Sequence, residues 1–374
     1  MSQRGEIVGV QYLRGLAACA VVVDHAAGTL GQAKYFDTTL LGGVLTSGRI
    51  GADLFFLISG FIIAAVSLEG PGLTPTIDRT RFFARRFARV VPVMWIAILS
   101  YALLRGFGRG MHDLDDYARA LFLVPYGEVK PQTIWTLRQE LIFYIVFALA
   151  MLGPKPMRWL MLLWILAPAV MWWPRRHLPP GSIPFEFLRI FFHPTAYEFG
   201  AGFLIAVLWF RRTRETVIRL PIEPMLAVTL AFGFPLAVTA ASQFYLGYRP
   251  SALTTALCCA PVLFLGVHVY CPPGLGQRIG RTLGDASYAI YLFHPHILSI
   301  TILLWSRLIP GTPPLLVAGV TTVAAIAGGV VLHHIVERPV VRASRRLFDR
   351  RPLSVEASPA NPVPPEPAPA PAGH

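Results

Sequence analysis

The stretch QYLRGLAACAVVVDHA, residues 11–26, is apolar enough for a membrane helix and yet carries charged side chains. Arg14 and His25 fall on nearly the same face of an α-helix, about 16 Å apart along its axis. Placing an Arg in the bilayer costs about 2.5–3.5 kcal/mol, so ionisable residues in such a segment tend to face a cavity or a partner. A signal peptide is the alternative interpretation, but Arg14, Asp24 and His25 interrupt the apolar region that it needs.

The whole chain has the composition of a membrane protein. Hydrophobic residues make up 54% of it and charged residues 14%, whereas soluble domains carry about 25% charge. The mean hydropathy is +0.55. We therefore predict an all-α fold, a polytopic integral membrane bundle with about ten transmembrane helices. The predicted spans cover residues 8–30, 50–68, 90–107, 135–153, 158–173, 188–210, 224–241, 251–270, 286–306 and 314–335. The fifth is the shortest and ends in Pro174, so a count of nine or eleven spans also remains possible.

The basic residues report topology rather than nucleic-acid binding, although the net charge is +13. With the N-terminus inside, 20 of the 33 Lys and Arg residues fall on inside segments, as the positive-inside rule requires. Both termini are therefore expected in the cytoplasm. Residues 1–345 form the predicted membrane domain, and the Pro- and Ala-rich residues 346–374 are expected to be a disordered tail.

Two arginines, Arg86 and Arg89, lie three residues apart at the predicted inner surface and are neighbours on one helix face. A stop-transfer cluster explains them without chemistry. The functional alternative is a pair of guanidinium forks that hold the phosphates of an anionic cytosolic cofactor.

The segment TIWTLRQELIFYIVF, residues 133–147, follows the longest predicted outer loop, 108–134, and is dense in polar groups. Trp135 suits an interfacial aromatic belt. Glu140 and Tyr144 share a face by their spacing of four residues. A salt bridge at a helix end would explain Arg138 and Glu140, and a buried carboxylate that orients a histidine is the functional alternative.

A second polar stripe lies on the ninth predicted span. Ser287, Tyr291 and His294 are spaced at i, i+4 and i+7 and therefore lie on one helix face. Three polar groups in register are expected to face protein or water rather than lipid.

These motifs together resemble acyltransferase family 3, the integral-membrane enzymes that O-acylate bacterial exopolysaccharides, O-antigens and related glycans. The likeness covers residues 7–345, and the opening VQYLRGLAA is similar to the exopolysaccharide-production branch. Thr136 stands where the family usually has Ser. The motifs that carry the resemblance are Arg14 with His25, FFLISGF, Arg86-x-x-Arg89 with Pro92, Trp135-Thr-Leu-x-x-Glu140-x-x-Phe143-Tyr144, Ser287-Tyr288-x-Ile-Tyr291-Leu-x-His294 and Glu337-Arg338-Pro339.

The resemblance implies a bacterial inner-membrane enzyme that uses acyl-CoA, in the first place acetyl-CoA, as co-substrate and needs no metal. Its implied partners are membrane lipids and a glycan or lipid-linked saccharide acceptor. A transporter or flippase for a lipid-linked sugar is the alternative, since it would also need buried ionisable groups in many helices. The sequence shows no inverted repeat.

The resemblance also implies roles for the candidate residues. His25 is the expected base, with Glu140 as its orienting or charge-balancing partner. Arg14 is expected to contact the acyl donor or the oxyanion that forms when the thioester is attacked. Arg86 and Arg89 are expected to hold the CoA phosphates. Trp135, Ser287, Tyr291 and His294 are expected to line the substrate pocket. Direct transfer and an acyl-histidine intermediate both remain open.

Overall fold

The protein is helical throughout the part described by the computed structural model, which comprises residues 7–33, 35–109, 113–211 and 217–349. The predicted all-α membrane bundle is confirmed. Within these residues, one short antiparallel pair, β1 (Leu68–Glu69) and β2 (Thr74–Pro75), is the only sheet. The helices are α1 Val8–Leu30, α2 Ile50–Ser67, α3 Arg79–Arg109, α4 Leu114–Leu121, α5 Trp135–Met151, α6 Trp159–Leu166, α7 Pro168–Arg175, α8 Ile183–Phe191, α9 Ala196–Phe210, α10 Pro224–Ala241, α11 Ala252–His268, α12 Leu275–Leu308, α13 Pro314–Leu332 and α14 Arg338–Asp349.

The number of spans is close to the predicted count of about ten, for which nine or eleven also remained possible. In the described residues, eight helical segments are long and apolar enough to cross a membrane, or nine if one bent pair counts as a span. That pair is α6 and α7, bent by 63° at the predicted fifth span. Pro168 begins α7, and proline cannot continue a helix without losing a backbone hydrogen bond. The predicted eighth span corresponds to α11, which has 17 residues and is therefore shorter than the helices counted as spans.

Helix α1 lies at the centre of the bundle and packs against α2, α11, α12 and α13. Each of the three apolar core clusters contains side chains of α1, among them Leu13, Val21 and Val22. These side chains are 0–2% exposed. Because α1 is rich in Ala and Gly, its neighbours approach closely and hold the helix that carries Arg14 and His25 in one position.

Helices α2 and α9 are in backbone contact. A Cβ atom on Gly60 would lie 2.1 Å from the carbonyl oxygen of Phe199, and one on Gly202 would lie 1.9 Å from that of Leu57. No larger residue fits at either position without a shift of the helices. This contact fixes the depth of Ser59, which precedes Gly60 on α2.

The long outer loop is folded in the part that the structure describes, since it contains α4. Tyr117 on α4 is buried. Lys130 bonds to Asp113 and lies 3.3 Å from Asp116. The hydrogen bond with Asp113 raises the pKa of Lys130. Ion pairs therefore tie the residues after α4 back to the start of that helix.

The C-terminal part of the domain ends in a polar cluster followed by α14. His333 Nδ1 donates to Glu337 Oε2 at 2.7 Å, and Arg338 Nε donates to His333 Nε2 at 3.0 Å. Arg338 also lies 3.8 Å from Asp285 on α12. The predicted tail remains a prediction, because its residues from 350 on lie outside the described ranges.

Candidate active site

A cavity of about 110 Å³ lies between α1, α2, α3, α5 and α12. Six of the nine residues predicted for the site line this cavity. Those six are Arg14, Arg86, Arg89, Glu140, Ser287 and Tyr291. The other three, His25, Trp135 and His294, lie beyond the end of the cavity that is nearest the start of α5.

Three guanidinium groups give the cavity its positive end. Arg14 Nη1 donates to Gln11 Oε1 at 3.0 Å. The Cζ atom of Arg86 lies 5.7 Å from the ring centroid of Phe82 and 6.0 Å from that of Tyr144. The buried Nε of Arg86 has no partner among the described residues. Within the described part of the chain, neither Arg14, Arg86 nor Arg89 forms an ion pair with a carboxylate. Such unpaired guanidiniums are suited to an anionic ligand.

Glu140 is the acidic side chain among the residues that line the cavity. Its Oε1 accepts hydrogen bonds from Ser59 Oγ, at 3.2 Å, and from the hydroxyl of Tyr144. The pairing with Tyr144 agrees with the spacing of four residues in the sequence. No hydrogen bond joins Glu140 to His25 in the described structure, so the predicted orientation of His25 by Glu140 is not made by direct contact.

The opposite end of the cavity continues through Tyr291. Its hydroxyl donates to the carbonyl oxygen of Thr133 at 3.0 Å and lies 2.8 Å from Thr136 Oγ1. Thr136 therefore places its hydroxyl against that of Tyr291. The ring of Tyr291 then meets that of His294, with centroids 5.9 Å apart. Ser287, one turn away, bonds to the carbonyl oxygen of Gly284.

His294 is fully buried and, together with the carbonyl oxygen of Val21, sets the tautomer of His25. Its Nδ1 lies 3.1 Å from the carbonyl oxygen of Ile290, which can only accept, so Nδ1 carries a proton and Nε2 is an acceptor. His25 Nδ1 lies 3.0 Å from that Nε2 and 3.1 Å from the carbonyl oxygen of Val21. His25 Nδ1 must therefore donate. This leaves Nε2 of His25 unprotonated in the neutral ring, on a residue that is exposed.

Trp135 lies close to His25 in depth but contacts other residues. Its ring is 5.8 Å from that of His193, and the guanidinium of Arg49 lies 5.6 Å from its centroid. Glu198, at 1% exposure, has an Oε2 atom without a partner in the described residues. Arg49 and His193 thus lie beside Trp135 at this end of the bundle.

Arg49, His193 and Glu198 were not predicted as site residues. The only local signal for Arg49 is its position just before an apolar span, and His193 and Glu198 are separated from Trp135 by more than fifty positions. Ionisable residues at the ends of apolar segments could have marked all three, but the contact of Arg49 and His193 with Trp135 depends on how α2, α5 and α9 pack.

Comparison with known proteins identifies the fold family. An acyltransferase-domain family model matches residues 7–334. The exopolysaccharide production protein ExoZ of Rhizobium meliloti is 30% identical over 81% of this chain and 93% of its own. The acyltransferase MdmB of Streptomyces mycarofaciens is 26% identical over 93% of this chain and 94% of its own.

A more distant relative is the peptidoglycan O-acetyltransferase OatA of Listeria monocytogenes. It is 24% identical over 80% of this chain, which spans 50% of the relative's length. No solved structure matches the chain significantly.

Proposed function

Because the chain belongs to the acyltransferase family whose model spans residues 7–334, we propose that it moves an acyl group from cytosolic acyl-CoA to a hydroxyl of an extracytoplasmic or lipid-linked glycan. The observation that carries the proposal is a series of polar side chains that leads from the cavity to His25. It begins at three guanidiniums that have no carboxylate partner among the described residues and passes Glu140 and Tyr291. It then crosses the ring contact of Tyr291 with His294 and ends at Nε2 of His25.

The donor end of this series is the arginine end. CoA carries several phosphates, and a guanidinium can hold two phosphate oxygens at once. Arg86 presents a buried Nε that has no partner in the described part of the chain, and Arg89 lines the same cavity. These two side chains hold the phosphates in our proposal. Arg14 lies about 16 Å along α1 from His25, so it contacts the donor between its phosphates and its thioester rather than at the oxyanion.

The acceptor end of the series is His25. Its Nε2 takes the proton of a sugar hydroxyl while the hydroxyl oxygen attacks the thioester carbonyl. The new C–O bond forms, the C–S bond breaks, and the proton passes from His25 to the departing CoA thiolate. An acyl-histidine formed at the same Nε2 is the rival route, with the acyl group transferred to the sugar in a second step.

The relatives support a glycan acceptor. One is named for exopolysaccharide production and another for O-acetylation of peptidoglycan. Acetyl-CoA is the first donor to test, and the bacterial inner membrane is the proposed location.

The test is release of CoA by the purified protein with acetyl-CoA and an isolated exopolysaccharide precursor. We expect CoA release that depends on the acceptor, and acetate in the glycan by mass spectrometry. His25→Ala should lose both signals while keeping its thermal unfolding temperature. Saturable movement of the glycan across vesicles without CoA release would contradict the proposal and support a carrier instead.

A further inference from the structure

The proposed reaction develops a negative charge close to His25. When the sugar hydroxyl adds to the thioester, the carbonyl electrons move onto the carbonyl oxygen, and the resulting oxyanion needs hydrogen-bond donors beside it. Arg14 lies about 16 Å along α1 from His25, and Arg86 and Arg89 line the donor cavity. In our proposal these three guanidiniums hold the donor, so the oxyanion requires another group.

Arg49 lies beside α1, close to His25. Gly48 packs against the backbone of α1, since an added Cβ atom would lie 2.1 Å from the carbonyl oxygen of Ala20. The backbone N–H of Arg49 donates to the carboxylate of Asp24, the residue before His25. These contacts fix the start of α2 next to His25, and the guanidinium of Arg49 is close enough to act electrostatically on the imidazole.

The side chain of Arg49 lies at the end of the cavity that is nearest the start of α5. Arg49 precedes Ala52 by three residues in helical conformation, so the two share a face of α2, and Ala52 lines the cavity. The Cζ atom of Arg49 lies 5.6 Å from the ring centroid of Trp135, the first residue of α5. Arg49 also acts electrostatically on Tyr291, which lines this end of the cavity. The guanidinium is therefore near both the cavity and His25.

The guanidinium of Arg49 is accessible to a ligand, because the residue is exposed. Within the part of the chain that the structure describes, its side chain has no carboxylate within 4 Å, although Asp24 and Asp53 are near enough to interact with it electrostatically. The ring of Trp135 attracts the charge through its π electrons and so holds the guanidinium without an acceptor atom. The N–H donors of Arg49 are thus available to a developing anion.

A cation beside the proposed base suits the tetrahedral intermediate of acyl transfer. We propose that Arg49 is a further catalytic residue, which donates hydrogen bonds to the oxyanion that forms beside His25. This role rests on the proposed function. The sugar oxygen bonds to the carbonyl carbon while Nε2 of His25 takes the hydroxyl proton, and the carbonyl oxygen becomes the oxyanion. When the C=O bond forms again, the C–S bond breaks and the thiolate receives the proton from His25. Arg49 keeps its own protons throughout.

The test compares Arg49→Ala with the wild type in acetyl transfer from acetyl-CoA to the glycan by the purified full chain. Removal of one oxyanion donor costs about 10²–10³-fold in kcat, and we expect a loss of that size. The KM values for acetyl-CoA and for the glycan should stay unchanged, because the lost interaction is made only in the transition state. Arg49→Lys should recover part of the kcat, since it keeps the charge without the planar fork. Methylguanidinium added to Arg49→Ala should also recover part of it, because it returns the missing donors.

Arg249→Ala is the matched control. Arg249 is exposed and, like Arg49, acts electrostatically on Asp24 and Asp53, but it is not among the described residues that act on His25. This variant should turn over as the wild type does, with no response to methylguanidinium. The thermal unfolding temperature of each variant separates lost chemistry from lost fold, and Arg49→Lys serves if Arg49→Ala does not fold.

The role of Arg49 and the proposed reaction fail in different ways. Wild-type kcat in Arg49→Ala, or a higher KM for the glycan with unchanged kcat, would overturn the role of Arg49 and leave the reaction in place. A lower kcat that neither lysine nor methylguanidinium recovers would make Arg49 a structural residue. Absence of acceptor-dependent CoA release by the wild type would refute the reaction, and the role of Arg49 with it.

Discussion

His25 and His294 show which parts of the site a sequence can and cannot reveal. Glu140 and Tyr144 are four residues apart, so their hydrogen bond follows from helix geometry and could be predicted. His25 and His294 are 269 positions apart. Both were candidate residues, but their contact depends on the packing of α1 against α12. The partner of His25 was therefore predicted as Glu140, whereas the structure places His294 there.

We expect His294 to act as a positioning residue for His25. His294→Leu removes one of the two acceptors of His25 Nδ1 and leaves only the carbonyl oxygen of Val21, so the imidazole is held less firmly in the orientation that presents Nε2. The kcat for transfer should fall while the KM for acyl-CoA stays unchanged. His294→Gln, which can place an oxygen near the former Nε2, should restore part of the kcat. Steady-state kinetics of the two variants measure the difference.

His25→Ala sets the reference for that comparison. General acid–base catalysis contributes about 10²–10⁴-fold, so kcat should fall by that much. If His294→Leu also changes KM, or if glutamine restores nothing, His294 has a structural role. Wild-type kcat in His25→Ala would remove the base from the proposed mechanism.

Substitution by lysine distinguishes a donor-binding role of Arg86 and Arg89 from a role in membrane topology alone. Arg86→Lys and Arg89→Lys keep the positive charge but lose the planar fork. The KM for acyl-CoA should rise about tenfold in each, the equivalent of roughly 1.4 kcal/mol. Arg81→Lys is the matched control, because Arg81 is exposed on the same helix. Unchanged donor affinity in both test variants would return these arginines to a stop-transfer role.

The helices themselves were largely predictable, because apolar length is a local property of the sequence. Each of the ten predicted spans overlaps a helix of the structure. The break at Pro168 was not predicted, since a proline kinks or ends a helix depending on what packs around it. The fold of α4 was also missed. It depends on ion pairs with Lys130, which lies beyond the end of that helix.

The contact of α2 with α9 offers a prediction about packing. Gly202→Ala would place a Cβ atom 1.9 Å from a carbonyl oxygen of α2, so the helices must separate. Overpacking of this kind costs about 1–3 kcal/mol, and the shift should also disturb Ser59 beside Glu140. We expect a lower thermal unfolding temperature and reduced turnover. Gly233→Ala on α10, where an added Cβ meets nothing within 4 Å, is the control and should leave both unchanged.

Basic side chains mark one end of the entire bundle. Arg79 Nε donates to the carbonyl oxygen of Ala148 at the end of α5, and Arg158 donates to that of Gly72 beside β2. Arg86 and Arg89 lie on the same end segment of α3 as Arg79. By the positive-inside rule this end is cytoplasmic in our proposal. Arg4, Arg212, Arg214, Arg350 and Arg351, which also support that orientation, lie outside the described residues.

Cysteine labelling in intact cells tests the orientation. In a chain whose native cysteines are replaced by alanine, Asp115→Cys on α4 should react with an impermeant maleimide from outside. Pro156→Cys, between α5 and α6, should react only after the cells are opened. Both positions are exposed, so access to reagent depends on the side of the membrane. The reverse pattern would place the arginine end outside and contradict the donor side of the proposal.

The arginines of the cavity and His25 lie at different depths in the membrane, and this separation leads to a prediction about the whole molecule. The arginines of the cavity lie toward the basic end, and His25 with its free Nε2 lies toward the end that begins α5. An enzyme that worked only in the cytosol would have no use for this separation. In sealed vesicles of known orientation, which acyl-CoA cannot cross, we expect turnover only with acyl-CoA at the basic end and the glycan at the other. Turnover with both substrates confined to the basic end would show that the series of polar side chains is not the route of the acyl group.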